Sequence, residues 1–121
     1  MKLLFEASAP VRATLAEVRR LIDTGWVLGT VVGEAGRAYV DVDHRDGVVG
    51  FQGHWWYRGE ISASAAAGRT VVTYRVFNIA RRGAWAVPLA NRLFIGYDRA
   101  VRDTVARLAQ AIEAHLDGRA A

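Results

Sequence analysis

The sequence predicts an α+β fold, a curved antiparallel sheet wrapped around one long C-terminal helix. Two observations predict it. Between Leu89 and Leu116, apolar residues recur every three or four positions: Phe94, Tyr97, Val101, Val105, Leu108, Ile112 and Leu116. At about 100° per residue they form one stripe, with Arg92, Arg99, Asp103, Gln110, Glu113 and Asp117 opposite. Upstream, short runs of alternating residues follow one another through turn signals, as hairpin-linked strands do. A helix with one apolar stripe needs a broad apolar surface to lie on, and only a sheet upstream supplies it. The 121 residues make one domain, residues 1–121, around a single core.

Taken in order, Leu3 to Ser8 reads as a strand with Leu3, Phe5 and Ala7 on one face. Pro10 opens a helix over Val11 to Ile22, with Val11, Leu15, Val18 and Ile22 inward, and Asp23-Thr24-Gly25 ends it. Trp26 to Val32 is apolar and β-branched, the character of a second strand. Arg37 to His44 is a third, with Ala38, Val40 and Val42 on one face and Tyr39, Asp41 and Asp43 on the other; Asp46-Gly47 is a hairpin signal. A long fourth strand region runs from Val48 to Ala65. Val49, Phe51, Trp55, Tyr57 and Ile61 form its core side, with Gln52, His54, Trp56, Arg58, Glu60, Ser62 and Ser64 opposite. Gly50, Gly53 and Gly59 are places for a bulge or bend. Arg69 to Ile79 is the last strand, with Val72, Tyr74 and Val76 inward. A four-residue loop at Ala66 to Gly68 and its neighbour sets Ile61 opposite Tyr74 and Glu60 opposite Arg75, which matches apolar with apolar and charge with opposite charge. Pro88 suits the first turn of the last helix and Gly118 the position past its end.

Composition narrows the function. Hydrophobic residues are 52% of the chain, which argues against disorder, and no run approaches the roughly 18 apolar residues of a membrane span. Glu6 interrupts the start too early for a signal peptide, so the expected location is cytoplasmic, and there is no cysteine for a disulfide or thiolate metal site. Of the net charge of +4, residues 81–121 hold seven arginines against four acids. Asp98 with Arg102 and Asp103 with Arg107 are i,i+4 pairs on the solvent side of the helix, and no nucleic-acid motif accompanies them. The chain is therefore expected to bind no nucleic acid and to have no stable membrane insertion.

The opening Ser8-Ala9-Pro10, then Asp23 and Trp26, resembles the start of bacterial members of the helix-grip superfamily. That superfamily includes START-related lipid-transfer domains, Bet v 1-like allergens, polyketide cyclases and aromatase/cyclases. Trp55-Trp56-Tyr57-Arg58-Gly59-Glu60, Gly68-Arg69-Thr70 and Tyr74-Arg75-Val76-Phe77-Asn78 are similar to its middle hairpins, and Pro88-Leu89-Ala90-Asn91-Arg92 to the start of its last helix. The second small helix of such members, after Asp23, is expected to be missing here. The resemblance implies a pocket between concave sheet and terminal helix for apolar or amphipathic small molecules, without implying one chemistry.

The aromatic residues carry the site expectation. Trp26, Phe51, Trp55, Tyr57 and Tyr74 on the strands, with Trp85, Leu89, Leu93 and Tyr97 at the front of the helix, are the candidate ligand-binding wall. Solid core packing is the competing reading of the same rings. Tyr57, Tyr74 and Asn78 are the candidates for orienting a ligand; for Asn78 a strand-end hydrogen bond is the alternative. No nucleophile motif, P-loop or dinucleotide fingerprint is present, so no catalytic residue, cofactor or metal is assigned. Asp41, Asp43, His44 and Asp46 read as a solvated hairpin end rather than a cation site, and His115 as solvated. The expected function is binding of a lipid-like or polyketide-like molecule. The rivals are a cyclase or dehydratase using Tyr57, Tyr74 or His54 as acid/base, and a solid-core interaction module. Trp56, with Phe77 and Ile79, forms an outer patch suited to a homodimer, unless a bulge near Gly53 or Gly59 turns it inward.

Overall fold

The computed structural model describes residues 1–37 and 39–120. Five strands form one antiparallel sheet: β1 (Lys2–Val11), β2 (Asp41–Arg45), β3 (Val48–Gln52), β4 (Tyr57–Ala66) and β5 (Arg69–Asn78), in the order β1-β5-β4-β3-β2. Turn chemistry sets the pairing. Asp46-Gly47 joins β2 to β3 with Gly47 at φ 73°, and Ala67-Gly68 joins β4 to β5 with φ of 52° and 75°. Left-handed residues in a two-residue loop match the twist of the strands they connect. Ile61 lies opposite Tyr74 and Glu60 opposite Arg75, the register read from the sequence, although the loop is two residues rather than four.

All the helices that feed the core lie on one face. They are α1 (Leu15–Asp23), α2 (Leu28–Val31) and the long α5 (Tyr97–Ala120), which runs chiefly against β1; α3 (Gly33–Arg37) packs on α2. Between β5 and α5 the chain makes a 3-10 turn (Ala84–Ala86), a single turn α4 (Val87–Ala90) and a second 3-10 turn (Arg92–Phe94). Val18 and Ile22 of α1, Leu28, and Leu108 and Ile112 of α5 meet Val49, Phe51, Ile61, Val72 and Val76 of the sheet in one core without solvent exposure. This is the helix-grip arrangement, α+β with a sheet closed by its terminal helix. Among the described residues no helix is long and apolar enough to cross a membrane.

Several elements differ from the sequence expectation, each for a local reason. Pro10 and Val11 continue β1, where an edge strand tolerates a missing N–H, and α1 starts only at Leu15. Its start is fixed by Thr14 and Glu17, whose side chains each accept from the other's backbone N–H in a capping box. Leu3 is exposed because β1 shifts register between Leu3 and Phe5, which turns Leu3 away from the face that Phe5 and Ala7 share. The segment expected as a strand at Trp26 to Val32 is helical, and α2 and α3 occupy the place where a second small helix was expected to be missing. A short apolar run does not separate strand from buried helix, and here Val27 and Leu28 are both buried, which alternation forbids. The third strand shortens to Asp41–Arg45, an exposed charged edge; Ala38 lies outside the described residues. The long fourth strand is two strands, folded back at residues 53–56, where the Gly53 N–H donates to the Tyr57 carbonyl at 2.9 Å.

The terminal helix does not begin at Leu89. Arg92, Leu93 and Phe94 have φ of 53°, 57° and 57°, and Gly96 has φ 75°. Four left-handed residues among five end any helix, and α5 starts afresh at Tyr97. At the other end it runs through Gly118 to Ala120. Within it the predicted stripe is buried: Val101, Val105, Leu108 and Ile112 all face the sheet.

Candidate functional site

The fold-back at residues 53–56 brings the sheet's end beside the start of α5. There Trp56, Phe5, Phe94 and Tyr97 form an aromatic cluster. Phe5 stacks on Tyr97 with ring centres 5.0 Å apart, and Phe94 meets Phe5 edge-on at 5.4 Å. Trp56 lies 5.6 Å from Phe94 and 6.2 Å from Tyr97. Edge-on and offset pairs at these distances are favourable beyond their buried area. Phe94 reaches the cluster from the left-handed stretch before α5, so this ring is held by a strained piece of backbone.

Inward of these rings lie Phe51, Tyr57 and Tyr74. The Tyr57 and Tyr74 hydroxyls are hydrogen-bonded to each other, and Phe51 stands 6.0 Å and 6.1 Å from the two rings. Gly59 makes this arrangement possible. A Cβ there would come within 2.4 Å of the Phe51 ring and 2.9 Å of the Tyr57 hydroxyl. Burial raises the pKa of Tyr57, with the neighbouring Tyr74 adding to the effect, and burial likewise raises Tyr74. Burial pushes Tyr97 up to about 12, with a further contribution from Tyr74. At neutral pH all three phenols are protonated, and they act as hydrogen-bond donors or acceptors but not as bases.

Of the residues expected to line a ligand site, Phe51, Tyr57 and Tyr74 come together in this inner layer and Tyr97 in the cluster outside it. Trp26 packs 4.5 Å from His115 of α5, further along the helix, so His115 is covered by an indole and not solvated as expected. Trp85, Leu89 and Leu93 are exposed, because the helix on which they were to face the sheet is broken. Trp55 and Trp56 exchange roles. The fold-back turns Trp56 inward, and Trp55 is left exposed, its Nε1–H donating to the Arg82 carbonyl at 3.1 Å. The outer patch expected around Trp56 therefore does not form. Asn78 serves the strand end: its Oδ1 accepts from the Ala80 N–H at 2.9 Å, and its Nδ2 reaches the Ala84 carbonyl. Trp56 was missing from the expected site, while Phe5 and Phe94 were expected as core-side rings. The signal for Trp56 was strand length, since an 18-residue stretch from Val48 to Ala65 far exceeds the usual five or six.

The outer face of the sheet carries a second organised region. Arg58 holds Asp43 through both guanidinium nitrogens, at 2.7 and 2.9 Å, and Glu60 through Nε at 3.0 Å. Gln52 accepts from Arg58 at 2.8 Å, and Arg45 donates to Glu60 at 2.8 Å. Arg58 lies flat over Gly50, where a Cβ would meet its guanidinium at 2.2 Å. The hydrogen bond from Arg58 holds the Asp43 carboxyl below its ordinary pKa. Its carboxylate is thus committed to an ion pair, and among the described residues no His, Asp and Glu cluster is arranged for a metal. Beside this network an open cavity of about 840 Å³ is lined by Gln52, His54, Trp55, Arg58, Arg81 and Arg82, with no carboxylate among its lining residues.

No protein-family model and no curated protein matches the chain. Among solved structures the fold is similar to one described as DynU16, a putative protein in the dynemicin biosynthetic locus, with a TM-score of 0.52 and 16% sequence identity. The match covers 90% of this chain and 46% of that one, so the present chain spans about half its length. A likeness at this identity bears on the fold alone.

Proposed function

We propose that the protein binds an apolar or amphipathic small molecule, lipid-like or polyketide-like, between the sheet and the front of α5. One observation carries this reading: the Tyr57 and Tyr74 hydroxyls pair with each other among the rings of Phe51 and Trp56. Apolar sites that bind small molecules combine ring surface with a few convergent polar groups. Phe94 covers Phe5, Trp56 and Tyr97 from a left-handed stretch of chain. Swinging the ring out frees ring surface on Phe5, Trp56 and Tyr97. A ligand ring that replaces it gains about 25 cal/mol per Å² of buried apolar area, and a carbonyl on that ligand accepts from the phenols. The biosynthetic setting of the similar structure agrees with a small-molecule role. Binding is favoured over acid/base catalysis because the buried phenols offer no base at neutral pH and His54, the other candidate, is exposed on the fold-back.

The test is denaturing solvent extraction of the purified protein with mass spectrometry of what is released, together with titration of a fluorescent naphthalene probe. Phe94→Ala should bind the probe more tightly than the native chain. Tyr57→Phe and Tyr74→Phe should each weaken a carbonyl-bearing ligand about five-fold, the usual weight of one hydrogen bond. An empty extract together with no probe uptake by Phe94→Ala would mean that the interior is solid.

A further inference from the structure

The segment between β5 and α5 is anchored inward and dressed outward. Val87 is fully buried and the Phe94 ring sits in the aromatic cluster. Between and beside these anchors, Trp85, Leu89, Leu93 and Ile95 are 78%, 61%, 65% and 85% exposed. Trp55, on the adjacent fold-back, is 45% exposed and bonded to this segment through Arg82. With Met1, which lines the same cavity as Trp55, Arg81 and Arg82, six of the nine large hydrophobic residues exposed among the described residues thus lie at one end of the molecule. Arg81, Arg82 and Arg92 accompany them, and no Asp or Glu occurs from Ile79 to Tyr97 or from Gly53 to Tyr57.

We infer that this end docks peripherally on an anionic lipid bilayer, with Trp85, Leu89, Leu93 and Ile95 entering the interface and the arginines pairing with lipid phosphates. Charge selects this occupant. Self-association about a two-fold axis would bring two net-positive patches together, and the nearest carboxylate in the sequence, Asp98, is already paired with Arg102. A negatively charged lipid surface meets the same end favourably, with its arginines and its exposed apolar, indole-containing side chains. The two 3-10 turns and α4 are too short to span a bilayer, so the contact is with one leaflet. This inference stands apart from small-molecule binding, because it uses the outward side chains of the segment and not the phenols beneath it.

The experiment is flotation of the full chain with vesicles of phosphatidylcholine alone or mixed with phosphatidylglycerol, paired with quenching of tryptophan fluorescence by brominated lipid. The chain should float with the phosphatidylglycerol vesicles, less so as salt rises, and remain free with phosphatidylcholine alone. Arg81→Gln, Arg82→Gln and Arg92→Gln should each lower the partition coefficient about five-fold. Ile95→Ser combined with Trp85→Ser should lower it at least ten-fold and remove most of the quenching. No flotation with anionic vesicles at low salt overturns the inference, as does flotation that these substitutions leave unchanged. A concentration-dependent dimer in sedimentation equilibrium, abolished by Ile95→Ser, also overturns it and assigns the patch to a second copy. Should the serine double variant fail to fold, the three arginine variants, exposed and remote from the core, decide the matter alone.

Discussion

On the inner face of β4, Tyr57, Gly59, Ile61 and Ala63 point to the helices; on the outer face Arg58 and Glu60 point away from them. Yet Arg58 and Glu60, at 9% and 7% exposure, are about as well covered as Ala63 and Tyr74. The inner residues are covered by a second layer, α1, α2 and α5. The outer ones have no such layer and are covered by one another: Arg58 between Asp43, Gln52 and Glu60, and Arg45 over Glu60. Each face has one glycine that gives a large side chain its place, Gly59 under Phe51 and Gly50 under Arg58. Burial on this sheet is thus reached in two ways. Rigid rings and aliphatics interlock on one side, and flexible charged chains lie flat on the other. The two should respond differently to perturbation.

The largest effect is expected in the interlocked layer. Leu108 is fully buried between α5 and the sheet, and Leu108→Ala should cost about 2–5 kcal/mol in a denaturant melt. A change below about 0.5 kcal/mol, far under that range, would show that α5 is not held by its stripe.

The two glycines compare the faces directly. In Gly59→Ala the new methyl meets the Phe51 ring, which has no exposed side to retreat to, so overpacking of about 1–3 kcal/mol is expected. In Gly50→Ala the methyl meets the end of Arg58, which can swing toward solvent while Glu60 keeps Arg45. The loss there should be about 1 kcal/mol, the weight of the weakened hydrogen bonds. Equal costs in the two variants, measured by urea unfolding, would mean that the ion network is as rigid as the aromatic core.

The same contrast explains what could be read from the sequence. Periodicity located the stripe of α5, because Val101, Val105, Leu108 and Ile112 face a single surface. The pairing of β4 with β5 was legible because both faces agreed, Ile61 with Tyr74 and Glu60 with Arg75. The break before α5 was not legible. Leu89 and Leu93 continue a helical spacing, and what stops the helix is three non-glycine residues in left-handed conformation, with only Gly96 as a signal. The break leaves Trp85, Leu89 and Leu93 on the surface and not on the expected wall of the site. The fold-back at residues 53–56 was half legible: alternation persists across it and sets Trp55 inside, while Gly53 marks a place for a bend that turns Trp56 inward. The outer network was half visible, as opposite charges at Arg58 and Glu60 on one face, but coverage of a charged face by its own side chains has no periodic signature.

The smallest effect concerns the rim of that network. Asp43 is held below its ordinary pKa of 3.8 first by the hydrogen bonds from Arg58 and then by the charges of Arg58, Arg45 and His44, against an opposing contribution from burial. A carboxyl whose folded pKa is depressed stabilises the fold above its unfolded pKa and ceases to do so as pH falls through the folded value. Asp43 is nearly half exposed, at 47% for its side chain, so solvent screening limits the contribution to about 0.2–1 kcal/mol. Asp43→Asn should therefore be slightly less stable than the native chain at pH 7. The difference should shrink as the pH drops below 3.8, because the protonated native side chain then resembles the amide. Glu17 and Glu113 are also held low by hydrogen bonds, from Thr14 and from Arg12, so both proteins lose stability in acid and only the difference between them reports on Asp43. Paired urea titrations at neutral and acid pH measure it. A difference that does not change with pH would assign the role of Asp43 to shape rather than charge, and would leave Glu60 as the one ionic anchor of Arg58.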